Sequence, residues 1–309
     1  MSKAIGLRVY KIVVVEEGRT APLPHDLDDL NINLDDFVHA FVDAHDAIKE
    51  HAEEERSWYI QEKDRDTEGQ SSGLIHYGTF GFESNLIDGK TKTKQYRRKT
   101  TDIEEVPLYY EFWVPSDCKV GFAAFQSFQG RSPISLITKS MRESFKVRNK
   151  GYSLYFYKVM PNDVRGAAYF ESPVKKLRLI RRKVTTDITD KYFADPEPEE
   201  VNFEIVVSAR RNRSLGPLGS LMSGLQNHLK STGKSVVTHQ GVKFPEAVAE
   251  VKFGGRTRTV GVFGVNQDAG VIDLTDAVEW GSDGHPTYES LKGETDAILS
   301  DIHDVMCDK

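Results

Sequence analysis

The sequence predicts an α+β fold, with mixed, mostly antiparallel sheets, a few amphipathic helices and two subdomains. Three observations predict it. Runs rich in β-branched and aromatic residues recur along the chain, separated by turn-forming stretches. Apolar residues at helical spacing appear in only a few places, near 37–48, 134–145, 218–229 and 291–302. The dipeptides Asp88-Gly89 and Gly254-Gly255, which favour tight hairpins, each sit between two strand-like runs.

Residues 7–16 form a β-branched run and open the chain as a strand, which Pro22 and Pro24 end. Asn33 or Asp35 then caps a helix expected to run to about Tyr59, with Phe37, Phe41, Ala44 and Ile48 on its apolar side. Residues 61–73 are polar and bear Gly and Ser, so they are expected as a mobile loop. Residues 74–82 follow as a strand, and Asp88-Gly89 turns the chain. Residues 90–99 carry six basic side chains and form the return strand or an exposed arm. After a turn at 102–105 come an aromatic strand at 107–114 and a buried one at 120–126.

The next helix has the clearest signals. Ser132 is a competent N-cap and Pro133 suits the first helical position. At 100° per residue, Ile134, Ile137, Met141 and Phe145 make one stripe, and Lys139, Arg142, Lys146 and Lys150 make a basic rail away from it. Aromatic residues 152–159 and the basic run 174–184 are strands, with Lys176, Arg178 and Arg182 on one face of the latter. The acidic, proline-bearing stretch 185–200 is the expected boundary between a larger domain, 1–185, and a smaller one, 201–309. The second part reads as a strand at 201–209, an amphipathic helix from Leu218 to near Gly233 and a hairpin at 248–260. Strands near 260–265 and 271–274 and a last helix at about 288–306 complete it.

Charge is distributed unevenly. Residues 1–89 hold 8 Lys and Arg against 19 Asp and Glu, residues 90–183 hold 21 against 8, and residues 184–309 hold 12 against 20. A chain of net charge −6 therefore contains a strongly basic middle, the pattern expected of a polyanion partner. The competing expectation is that acidic and basic segments neutralise each other within the fold. No apolar run is long enough to span a membrane and the first residues lack a secretory signal. Cys118 and Cys307 are too few for a disulfide framework or a cysteine zinc site, so a reduced, cytoplasmic protein is expected.

The candidate nucleic-acid surface comprises Arg97, Arg98, Lys99, Arg131, Lys139, Arg142, Lys146, Lys176, Arg178, Arg181, Arg182 and Lys183. Lys and Arg neutralise phosphates and release counterions, which gives salt-sensitive binding with little sequence preference. Tyr109, Tyr110, Phe112, Trp113, Tyr155 and Tyr157 are interleaved with them and are candidates either for stacking on bases or for the core. Gln129-Gly130-Arg131-Ser132 is a second anion candidate, since a helix N-terminus presents free N–H groups. Gly233-Lys234-Ser235 is no phosphate loop, because His228 stands where that loop needs glycine.

Glu250 and Lys252 form half of a metal-dependent nuclease pattern, for which Asp195 and Asp273 are the available aspartates. His39, Asp43, His45, Asp46 and His51 crowd one segment without a His-x-x-x-His pair. No Gly-x-Ser-x-Gly elbow is present.

These residues predict a non-enzymatic protein that binds DNA or RNA through residues 90–183, needs no cofactor or metal, and forms a homo-oligomer or joins a partner protein. No family motif is matched residue for residue. In texture the chain is similar to uncharacterised bacterial proteins encoded beside mobile-element defence genes, which implies a place in anti-phage defence. The alternatives are a structural or regulatory subunit of an assembly and a metal-dependent nuclease.

Overall fold

In the computed structural model of the chain, the described residues are 5–19, 21–66, 69–128, 131–159, 167–184, 201–232, 236–239, 242–253, 256–263 and 271–307. The fold is α+β with mostly antiparallel sheets. Two compact units divide it, and both are discontinuous in sequence. One comprises 9–157 and 279–295, the other 1–8, 158–278 and 296–309. Strand β1 (Ile5–Glu16) and the C-terminal helix, Tyr288–Cys307, each contribute residues to both.

The 9–157 unit contains α1 (Leu34–Asp43), β2 (Lys49–His51), β3 (Arg56–Arg65) and β4 (Gln70–Thr79). A separate ribbon of β5 (Ser84–Ile87) and β6 (Lys94–Arg98) follows. Then come β7 (Glu104–Trp113), β8 (Gly121–Phe128), α2 (Ile134–Arg148) and β9 (Tyr152–Lys158). Its sheet runs β8-β7-β4-β3-β2, with β1 next to β8 and β9 beside β1.

Both helices bury one stripe on the same core. Phe37 and Phe41 of α1 and Ile137, Met141 and Phe145 of α2 meet Ile12, Trp58, Ile60, Tyr110, Phe112 and Phe125 from the strands. Phe37 and Phe145 touch edge to face at 5.0 Å, the geometry favoured by the ring quadrupole. Asn33 caps α1, its Oδ1 accepting from Asp36 N at 2.8 Å. The cap of α2 falls on Pro133 rather than Ser132, and no side chain closes it.

Two stretches depart from the sequence reading. The helix expected to reach Tyr59 stops at Asp43. Trp58 and Ile60 enter the core at the two-residue period of a strand, so residues 56–65 pair with β4 instead, and Ile48 is left exposed. His45, expected on a solvated helix, is buried and lies parallel to Trp58 with centroids 4.9 Å apart. The expected mobile loop at 61–73 instead forms paired parts of β3 and β4: Lys63, Asp64 and Arg65 are exposed, while Ser71 and Ser72 are buried, Ser71 Oγ donating to Glu62 Oε1 at 2.7 Å. Gly73 is required there. It opposes Glu62, and a Cβ would lie 2.2 Å from the Gln61 carbonyl oxygen.

The other unit contains α3 (Ala168–Glu171), β10 (Val174–Val184), β11 (Val201–Ser208) and α4 (Leu218–Thr232). It continues with β12 (Val237–His239), β13 (Val242–Phe244), β14 (Glu246–Phe253), β15 (Arg256–Phe263) and β16 (Ile272–Asp273), and shares α5 (Tyr288–Cys307). Its main sheet runs β11-β10-β14-β15-β16, and β16 pairs with the start of β1 through Gly6–Asp273 and Leu7–Ile272. The expected boundary at 185–200, the turn at 254–255 and the Gly233-Lys234-Ser235 stretch lie outside the described residues. The strands flanking 185–200, β10 and β11, are neighbours in this sheet.

Neither Cys118 nor Cys307 is a free thiol. This corrects the expectation of reduced cysteines, which rested on a count, and a count carries no information on pairing. Among the described residues no helix is long and apolar enough to cross a membrane.

Candidate nucleic-acid interface

The β5–β6 ribbon is the most basic exposed element of the 9–157 unit. Its register, Ser84–Arg98, Asn85–Arg97, Leu86–Tyr96 and Ile87–Lys94, makes a short antiparallel arm with its own two-stranded sheet. Asp88 organises the tip. Its Oδ1 accepts from Lys90 N at 2.9 Å and Thr91 N at 2.7 Å, and its carbonyl accepts from Lys92 N at 2.8 Å. The same backbone N–H groups hold the Asp88 carboxyl below the usual carboxylate range. Lys92 takes the left-handed conformation at φ 58°. Lys90, Lys92 and Lys94 are exposed and form no ion pair among the described residues.

Arg98 fixes the base of the arm. It is only 5% exposed. Its guanidinium pairs with Glu104 Oε2 at 3.0 Å, donates to the Asp102 and Thr79 carbonyls, and lies 4.2 Å from the centre of the Phe82 ring. Asp102 accepts from Lys99 N at 2.7 Å and from the Tyr96 hydroxyl at 2.5 Å, and these bonds hold its carboxyl low. Glu104 also receives Arg131 at 2.5 Å. Arg98, a candidate for an anion, is thus taken up in holding the arm to β7, and Arg131, another candidate, is paired with the same carboxylate.

The rail is exposed, as its spacing predicts, and three of its four cations are already engaged, while Lys150 forms no ion pair among the described residues. Lys146 pairs with Glu17 at 2.7 Å, Lys139 with Glu54 at 3.9 Å, and Arg142 lies 5.6 Å from the Phe156 ring centre. Arg97 pairs with Glu83 at 2.7 Å. Exposed pairs of this kind are worth about 0–1 kcal/mol, so a phosphate can displace the carboxylate.

The remaining predicted residues belong to β10 of the other unit. Cross-strand pairing neutralises two of them: Lys176 lies opposite Glu250 and contacts it at 3.1 Å, and Arg178 reaches Glu204 on β11 at 2.7 Å. Arg181 is half-buried, opposite Phe203. The side chains of Arg182 and Lys183 lie outside the described residues, as do Gln129 and Gly130.

Of the interleaved aromatics, Tyr109, Tyr110 and Phe112 are fully buried and belong to the core. Tyr155 and Tyr157, on one face of β9, are each 44% exposed, with near-parallel rings 6.1 Å apart. Lys11 Nζ lies 5.8 Å from the centre of the Tyr157 ring.

Glu250, the acidic half of the nuclease pattern, is paired with Lys176, and Asp273 Oδ1 accepts from Thr275 N at 2.9 Å. Asp195 lies outside the described residues. In the histidine-bearing segment, His39 faces Asp35 at 3.6 Å, Asp43 pairs with Arg65 at 2.5 Å, and His51 Nε2 accepts from Trp58 at 2.9 Å. Among the described residues no group of His, Cys, Asp and Glu is arranged to hold a metal ion.

Lys90, Lys92 and Lys94 stand outside the predicted site although their basic run was visible. The signal that singles them out is the Asp88-Gly89 turn beside them, which places Lys90 and Lys92 in the turn and Lys94 at the start of the return strand, all three exposed. Comparison with known proteins gives no matching family model and no matching curated protein.

Proposed function

We propose that this chain binds nucleic acid by docking the β5–β6 arm against the sugar–phosphate backbone. One observation carries the reading: Lys90, Lys92 and Lys94 project unpaired from a structured turn, while most of the other candidate cations face carboxylates. An unpaired ammonium releases a counterion on meeting a phosphate and gives up no existing pair. A two-stranded ribbon also fits the width of the B-form major groove, whereas the A-form major groove is too narrow for side chains to read. Duplex DNA is therefore expected to bind better than duplex RNA. Tyr155 and Tyr157 add an exposed stacking surface suited to unpaired bases. The test is a titration of DNA and RNA, single- and double-stranded, at two salt concentrations, against the wild type and a variant with Lys90, Lys92 and Lys94 changed to Ala.

A second reading, a subunit of a protein assembly, is favoured by the apolar side of the same arm. Leu86 is 58% exposed and Ile87 59%, an arrangement that also suits a protein partner. Stable self-association with no nucleic-acid affinity at low salt would select it.

A further inference from the structure

On the face of the sheet opposite α1 and α2, residues 281–291 close over β4, β7 and β8 of the 9–157 unit and leave a pocket of about 380 Å³. That is within the range of small-molecule sites. Leu74, Pro107 and Pro286 supply apolar lining, and Gln126 lines it as well. Gln126 is 1% exposed, and its Oε1 accepts from Tyr109 N at 2.8 Å. This bond orients the amide, so Nε2 is the free end, and among the described residues it has no hydrogen-bond partner. A second buried nitrogen on the lining, His285 Nδ1, also has none. A buried donor left unmade costs about 1–3 kcal/mol, and here that donor belongs to a residue lining a pocket, where an acceptor on a bound molecule would satisfy it.

The charges on the lining choose between ligands. Lys63 is accompanied by Asp283 and Glu289, so a phosphate or carboxylate would meet two like charges. A neutral, planar molecule fits better. Such a molecule would offer a ring carbonyl to Gln126 Nε2, N–H groups to the carboxylates and its faces to the proline and leucine lining. We infer that this pocket binds a nucleobase through a ring carbonyl, a choice of heterocycle that rests on the proposed nucleic-acid function.

The test is calorimetric titration of the full chain with uridine, guanosine and adenosine. Uridine or guanosine should bind, with adenosine, which has no ring carbonyl, about tenfold weaker or more. Ser282 is exposed at the rim, so Ser282→Trp should block entry without disturbing the core. Gln126→Glu keeps the acceptor for Tyr109 N and removes the donor, so it should abolish the preference. If burying that carboxylate unfolds the chain, Ser282→Trp decides alone. No binding by any of the three nucleosides, equal binding of adenosine, or binding unchanged in Ser282→Trp would overturn the inference. The Lys90, Lys92 and Lys94 variant separates the two readings. It should lose oligonucleotide affinity and keep nucleoside binding. Oligonucleotide binding without nucleoside binding would leave the arm standing and remove the pocket.

Discussion

Replacing Lys90, Lys92 and Lys94 together with Ala isolates the arm's contribution to binding. Each is exposed and unpaired among the described residues, so the change should alter stability by no more than about 0.5 kcal/mol per site. The hydrogen bonds that shape the tip run through the Asp88 carboxylate and backbone groups, which the substitutions leave in place. Each lysine that neutralises a phosphate of duplex DNA adds about 0.9 to the slope of log affinity against log salt. Three contribute about 2.7. Over a fourfold rise in salt, the wild-type affinity should therefore fall about 40-fold more than that of the variant. The assay is fluorescence anisotropy with a labelled duplex at several salt concentrations, with circular dichroism confirming the fold. A matched variant with Lys139 and Lys146 changed to Ala should lower the slope by less per residue, because those ammoniums already face Glu54 and Glu17. An unchanged slope in the arm variant, or a larger loss in the rail variant, would refute the reasoning.

Arg98→Ala should destabilise the 9–157 unit by about 1–3 kcal/mol in urea denaturation, since it strips a buried guanidinium from the Glu104 carboxylate and two carbonyls. Amide exchange at residues 84–98 should quicken with it, because the base of the arm is released. Gly73→Ala should cost about 3 kcal/mol or more, because the new Cβ would collide with backbone at Gln61 and Glu62 rather than with a yielding side chain. A wild-type melting temperature for that variant would show that β3 and β4 pair differently. Burial lowers the pKa of His45 from 6.5, and Lys49 Nζ, 2.6 Å from Nε2, pushes it the same way. Its contribution to stability is thus fully present above about pH 6.5 and is lost as pH falls toward the lowered folded value. Thermal melts at pH 7.5 and 5.5 should differ by less in His45→Phe than in the wild type.

Much of the local structure was legible because it is written in short-range periods. The stripe of Ile134, Ile137, Met141 and Phe145 announces α2. Asp88-Gly89 announces the hairpin, and the leucines from Leu218 announce α4. The failures occurred where two periods compete. Phe37, Phe41 and Ala44 carry a helical spacing that Ile48 continues, yet Trp58 and Ile60 need a strand to reach the same core, and burial of an indole outweighs helix propensity. Residues 61–73 looked like a loop because β4 enters the fold through Ser71, Ser72 and Gly73, which are buried without an apolar side chain and so leave no hydrophobic alternation to read.

By itself, then, the sequence determined the α+β class, most of the helices and strands, and the presence of a basic middle between acidic ends. Which of those charges remain available was decided only by tertiary structure. Lys176 meets Glu250 because β10 pairs with β14, and Arg98 and Arg131, 33 positions apart in the chain, meet on the same carboxylate, Glu104 of β7. Periodicity is a property of neighbouring residues and survives in the linear chain. Charge neutralisation is a Coulombic matter of a few ångströms between side chains far apart in sequence, and only the folded backbone sets those distances.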